Sequence, residues 1–196
     1  DNKKLARIAS LIRSFGYFSI MGVFGLLASS LGPILPDLSS QVAAPLDMLS
    51  LIFTARSLGF LFGSLLGGKL FDKYKSHPLF AVFFLALSLI IILIPFSTSL
   101  WLLAGVVFIQ GITLGFVVVG ASTYIVWEHP KNPGPWLNTQ SFINGMGGFL
   151  SPLIISFSIS RFGSYPFSFW FYALLACLLS IFFFFIKNPP IRKIEK

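Results

Sequence analysis

Charge is scarce in this sequence: 10% of its 196 residues are Asp, Glu, Lys or Arg, where a soluble domain carries about 25%. Six residues are acidic and two are histidine. A soluble fold of this composition would lack the polar surface needed to face water. Cysteine occurs once, at Cys177, so there is no disulfide framework and the thiol reads as a small core residue. His77 and His129 have no metal-ligand spacing around them and read as solvated loop residues. No nucleophile–base pair can be assembled and no phosphate-cradling glycine loop occurs. An enzyme is therefore not expected, and no bound cofactor or metal.

Apolar residues are abundant: 56% of the chain is hydrophobic, 24 residues are Phe, and the mean hydropathy is +0.88. Collagen, coiled coil and disordered tail are excluded, and so is a soluble nucleic-acid binder despite the net charge of +8. A helix needs about 20 apolar residues to cross the hydrocarbon core. Six apolar runs meet that need, at 11–35, 47–71, 78–97, 99–127, 135–160 and 165–187. Turn chemistry separates them: Gly32-Pro33 and Pro36-Asp37, Lys73 to Pro78, Pro95 to Ser97, Pro130 to Pro135, and Gly163 to Pro166. β-Barrel strands would alternate with period two, which these runs do not. The expected fold class is an all-α membrane protein, a single six-helix transmembrane domain over 1–196. The first run is too long for a cleavable signal peptide. The chain lacks an initiator Met, which fits a trimmed chain or one cut from a larger parent.

Basic residues orient the expected bundle, because Lys and Arg stay on the cytoplasmic side. Lys3, Lys4, Arg7, Arg13, Lys69, Lys73, Lys75, Lys131, Lys187, Arg192, Lys193 and Lys196 fall on one side, and Arg161 alone on the other. Both termini are expected in the cytoplasm, in a plasma or bacterial inner membrane, with attraction to anionic lipid.

The runs differ in character. The third and sixth are apolar all round and suit lipid. The first, second, fourth and fifth carry Gly, Ser, Thr, Asn, Gln and Arg56, and intramembrane polar groups normally face a bundle interior or a cavity. The order polar, polar, apolar repeats, over units 11–97 and 99–187. Three-span units must be inverted relative to each other, as in the inverted repeats of transporters. Gly59, Gly63 and Gly67 lie at i, i+4, i+8, a spacing that lets helices approach closely; the contact is either static packing or a sliding gate. Arg56 lies roughly 13 Å into the membrane. It either bonds carbonyls freed near the Gly32-Pro33 break or lines a cavity as a fixed cation. Gln110, Asn138, Gln140 and Asn144 both donate and accept, matching hydroxylated ligands or bonds between helices. Trp101, Trp127 and Trp136 sit at run ends, as interfacial belt residues do.

Known strings surround these residues. Gly67-Gly68-Lys69-Leu70-Phe71-Asp72-Lys73-Tyr74-Lys75 resembles the 2–3 loop signature of the major facilitator superfamily. Leu31-Gly32-Pro33-Ile34-Leu35-Pro36-Asp37-Leu38, Arg56-Ser57-Leu58-Gly59, Gly134-Pro135-Trp136-Leu137-Asn138 and Leu150-Ser151-Pro152-Leu153-Ile154 are similar to the N-terminal half of the sodium-dependent glucose transporter subfamily, a neighbour of the fucose permeases. The resemblance covers about residues 15–190. It implies half of a twelve-helix fold and alternating-access uptake of a hexose, coupled to sodium or protons. It departs at Phe116-Val117-Val118-Val119-Gly120, where an acid is expected, and at Asn138-Thr139-Gln140-Ser141-Phe142, where a His is. Substrate-binding residues are then Arg56, Gln110, Asn138, Gln140 and Asn144. Gate residues are Gly59, Gly63, Gly67, Gly68, Asp72, Lys73 and Lys75. Asp72 at a helix C-terminus opposes the dipole and calls for a partner across an interface. A sugar is the first substrate class and a small anion the second. The expected assembly is a homodimer pairing the second run with the fifth of the other copy, through Gly59, Gly63, Gly67, Gly145 and Gly148. The other readings are a half joined to a second six-helix half, and a membrane interaction protein without transport.

Overall fold

The computed structural model describes residues 2–189. Arg192, Lys193 and Lys196 of the expected cytoplasmic tail, and the side chain of Lys3, lie outside the described residues. The order of elements is α1 (Asn2–Ala28), α2 (Leu35–Val42), α3 (Ser50–Lys73), α4 (Ser76–Leu93), α5 (Leu100–Glu128), α6 (Gly134–Phe162) and α7 (Pro166–Phe185). Six spans are long and apolar enough to cross a membrane. The first comprises α1, a 3-10 turn at Gly32–Ile34, and α2.

Two boundaries differ from the sequence expectation. The first span runs on to Val42, because Gly32-Pro33 interrupts the helix without turning the chain. Pro33 sits in the first turn of the short 3-10 helix and Pro36 in the first turn of α2, where a missing N–H costs nothing. The true stop is Ala43, in the left-handed region at φ 49°. At its other end α1 starts nine residues before the expected position 11, at Asn2.

Helix pairing follows the repeat. α3 packs on α5, α1 on α6, and α4 on α7, with α1 against α5 at the centre. Exchanging the first three spans for the last three leaves this pattern unchanged: α1 takes the place of α5, α3 of α6, and α4 of α7. That is the expected 3+3 inverted arrangement. α1 and α5 are the central helices, and α3 and α6 the least covered.

Glycine makes both tight seams. A Cβ on Gly59 or Gly63 would strike the carbonyl oxygen of Phe108 or Ile112, and one on Gly111 or Gly115 that of Arg56 or Phe60. Across the repeat, a Cβ on Gly25 would strike the carbonyl oxygen of Asn144, and one on Gly147 that of Gly22. Backbones this close gain dispersion contacts that lipid cannot offer. The faces of Gly59 and Gly63 are thus filled by α5 of the same chain. A Cβ on Gly67 would meet the Phe116 Cα at 3.4 Å, an ordinary contact. The faces of Gly59 and Gly63 expected to meet another copy are therefore occupied within the chain, while Gly145 has open space where a Cβ would point.

α4 and α7 lack glycine and meet through side chains. Phe80 and Phe183 pack at 4.9 Å between ring centres. Ser88 donates to the Ala173 carbonyl at 2.9 Å, and Ser180 to that of Ala81 at 2.7 Å. The apolar third and sixth spans therefore bury one face on each other and leave the other outward.

Candidate functional site: a cationic notch between α1, α3 and α5

Arg56 projects from α3 to the broken end of α1. Its Nη1 donates to the Leu27 carbonyl at 3.1 Å and its Nη2 to that of Ala28 at 2.9 Å. The last carbonyls of a helix have no partner within it, and the break before Gly32 places these two at the depth of Arg56. The guanidinium also sits 5.8 Å from the centre of the Phe53 ring. Two bonds occupy two of its five N–H donors. The rest of the group borders an open cavity of about 240 Å³, whose lining also includes Phe24, Ala28, Ser57, Phe60 and Leu114. Arg56 therefore bonds carbonyls at the α1 break and also borders a cavity.

The amides do not converge on it. Gln110 is fully buried within the bundle, and its amide has no hydrogen-bond partner among the described residues. Gln140 is buried and donates to the Ala121 carbonyl at 3.2 Å, a bond between α6 and α5. Asn144 is half-buried against Gly25 of α1. Asn138 is exposed on α6, with Ser141 one turn further on. Of the five expected binding residues, Arg56 is half-buried at the edge of the cavity, Asn138 is exposed on α6, Asn144 is half-buried, and Gln110 and Gln140 are interior.

The other residues expected to gate, Gly68, Asp72, Lys73 and Lys75, lie towards the end of the bundle that carries the start of α1. Gly68 has open space where a Cβ would point. Asp72, Lys73 and Lys75 are exposed, and Asp72 makes no ion pair among the described residues. Lys73 lies 5.5 Å from the Tyr74 ring.

The same end holds a network that the sequence did not announce. Arg13 and Glu128 form a two-pronged ion pair, at 2.9 and 2.5 Å, almost covered from solvent. The Ser14 hydroxyl lies 2.7 Å from His129 Nε2, and the His129 ring stacks on Trp136 with 3.5 Å between centres. Trp136 in turn stacks on Phe18. This set ties α1 to the α5–α6 turn. His77 is fully buried, meets the Tyr17 hydroxyl at 3.1 Å, and takes the Asn188 side chain on its backbone N–H at 3.0 Å. Both histidines were expected in solvent; each is instead a tie between helices, because the termini of neighbouring helices close over them. Burial holds the His129 imidazole below the usual histidine range, against the opposing pull of Glu128. One sequence signal existed: Glu128 is one of two glutamates in the chain, and it sits at the end of an apolar run.

At the opposite end Gln41 plays a similar part. Its amide donates to the Ser97 carbonyl at 2.7 Å and to that of Ile94 at 3.1 Å, while Tyr165 donates to its oxygen. Burial, helped by Asp37, pushes the Tyr165 phenol up to about 12, so it stays a donor.

The family profile described as Major Facilitator Superfamily matches residues 14–196. The chain belongs to the major facilitator superfamily. It is similar to major facilitator superfamily domain-containing protein 4A of Homo sapiens, 33% identical over 167 residues that make up 82% of this chain and 32% of that protein. It is also similar to sodium-dependent glucose transporter 1 of Xenopus laevis, 30% identical over 129 residues, 66% of this chain and 26% of that protein. The third is sodium-dependent glucose transporter 1A of Mus musculus, 33% identical over 138 residues, 70% of this chain and 32% of that protein. The chain spans about a third of the length of the curated relatives it matches. As a major facilitator protein with six spanning helices it is an integral, multi-pass membrane protein.

Proposed function

We propose that this chain is half of a secondary transporter that carries a hexose by alternating access, with a cation gradient as the driving force and both termini in the cytoplasm. The observation that carries the reading is the Arg56 notch: a cationic donor held at membrane depth beside Phe24 and Phe60, in an open cavity bordered by α1, α3 and α5. Such a group is costly in lipid and is tolerable where it faces polar ligand or water. The notch and the exposed Asn138 form the lining contributed by this half. Asn144, Gln140 and Gln110 join it only if the helices move apart at the glycine seams. The names of the glucose-transporter relatives favour a sugar; the positive notch leaves a small anion as second choice.

A complete path needs a second six-helix unit against the α3–α6 face. That unit is another copy of this chain or the second half of a longer one, and the greater length of the relatives favours the latter. Asp72, Lys73 and Lys75 would then gate the cytoplasmic side across the interface, and Asp72→Asn should shift the resting state inward-open.

The deciding experiment is uptake into proteoliposomes, with hexoses and small organic anions offered under sodium and proton gradients in turn. Hexose accumulation under one gradient supports the proposal. Anion uptake alone moves the substrate class, and uptake of neither leaves a six-helix interaction protein as the better account. The mass of the complex in detergent separates two identical copies from one chain with a longer partner.

A further inference from the structure

A cleft of about 440 Å³ opens between α6 and α7 at the end of the bundle that holds Gln41 and Tyr165. Its walls are apolar: Leu153, Ile154 and Phe157 on α6, Phe167 and Phe171 on α7. Ser158 and Ser168 also border it, but both hydroxyls are spent within the protein, on the Ser164 and Tyr165 carbonyls. The cleft therefore offers no hydrogen bond to a polar ligand from its interior. Phe162 and Phe167 stack at 4.4 Å across the turn and close it at the end of the helices.

Arg161 stands at this closed end. It follows Phe157 by four residues and Ser158 by three, so it shares their face of α6 one turn nearer the water. It is exposed and is the lone Lys or Arg in the segments at this end, where Asp37 and Asp47 are the other charges. A cation on the sparsely basic side runs against the usual topogenic bias. The α6 C-terminus favours a positive charge in its last turn, but that preference does not select the cleft face. An apolar slot with an exposed arginine beside its Phe162–Phe167 end has the charge and the shape of one ligand class.

We propose that the α6–α7 cleft is a site for an anionic phospholipid of the adjacent leaflet. One acyl chain would lie between Phe157 and Phe171, with the phosphate on Arg161. The proposal concerns a surface remote from the Arg56 notch and stands whether or not the chain carries sugar.

Trp170 packs edge-on against Phe167 at 5.0 Å and reports on the cleft. The test uses the full chain with Trp101, Trp127 and Trp136 changed to Phe, reconstituted with brominated phosphatidylglycerol or brominated phosphatidylcholine, and reads the quenching of Trp170. Phosphatidylglycerol should be preferred about fivefold, the weight of one basic residue near a charged surface. Arg161→Lys should keep most of that preference, and Arg161→Gln should bring the ratio to about one. Leu153→Phe, which narrows the slot, should reduce quenching by both lipids. Equal quenching by both lipids in the unaltered cleft would overturn the proposal, leaving ordinary annular lipid. A preference that survives Arg161→Gln would overturn it too. So would failure of either lipid to quench, since the cleft would then be covered by protein.

Discussion

Arg56 caps a helix to which it does not belong: its Nη2 donates to the carbonyl oxygen of Ala28 at 2.9 Å, across the gap where α1 breaks. A charged donor bonds the Ala28 carbonyl and adds to the bonds that Ser30 already gives the Leu27 carbonyl, and a bond of that kind contributes about 1.5–3 kcal/mol. Arg56→Ala should lower unfolding stability in detergent by about 2 kcal/mol. Arg56→Lys should recover only part of this, because an ammonium is a point donor that lacks the planar fork. Thermal unfolding of the three proteins side by side checks the ranking. Equal stability of Lys and Ala variants would mean the fork is irrelevant.

The glycine seam gives a sharper contrast. Gly63→Leu should prevent correct assembly of the bundle, since the new side chain meets the backbone of Ile112 and neither helix can yield without breaking the seam. Gly68→Ala, one residue after Gly67 on the same helix but with open space around it, should fall within about 0.5 kcal/mol of the parent. Expression and monodispersity in detergent distinguish them, and a well-behaved Gly63→Leu protein would refute the contact.

Arg13 and Glu128 should behave as a covered ion pair. Removing one partner strands a charge, at a cost of about 3 kcal/mol. Glu128→Gln and Arg13→Gln should each destabilise, and the double variant should be less impaired than the sum. A double-mutant cycle in chemical unfolding measures this coupling. Strict additivity would show that the pair contributes no coupling.

His129 introduces a pH dependence with a defined sign. Its pKa in the fold lies below the ordinary value near 6.5. A depressed base contributes stability that is fully present above the unfolded pKa and is lost as pH falls through the folded one. The parent protein should therefore lose stability below about pH 6.5 more steeply than His129→Gln. Parallel unfolding curves from pH 7 to pH 5 make the comparison. An identical pH slope for both proteins would show that His129 does not contribute.

Orientation is testable with two exposed positions. Cysteine placed at Ser40, and separately at Lys75, in a Cys177→Ala background should label from opposite sides of a sealed vesicle, Lys75 from the cytoplasmic side. Both positions are solvent-facing, so failure to label reflects membrane sidedness and not burial. Labelling from one common side would break the six-span order.

Six spans, their order and the inverted plan were legible in the sequence, because hydropathy and turn chemistry are local properties that survive any packing. The glycine spacing at Gly59, Gly63 and Gly67 announced a close helix contact, but a periodic stripe carries no label for its partner. Only the fold shows that the first two meet α5 of the same chain. Arg56 could be placed at membrane depth from sequence; the identity of its acceptors depended on where α1 breaks in space. Gln110 and Asn138 looked alike as amides in polar runs, yet one is interior and the other open, a difference set by helix rotation. The ties of Arg13 to Glu128, Tyr17 to His77 and Gln41 to Tyr165 join residues 60 to 124 positions apart. Contacts at that separation arise when helix ends are brought together, and a single sequence records none of that geometry.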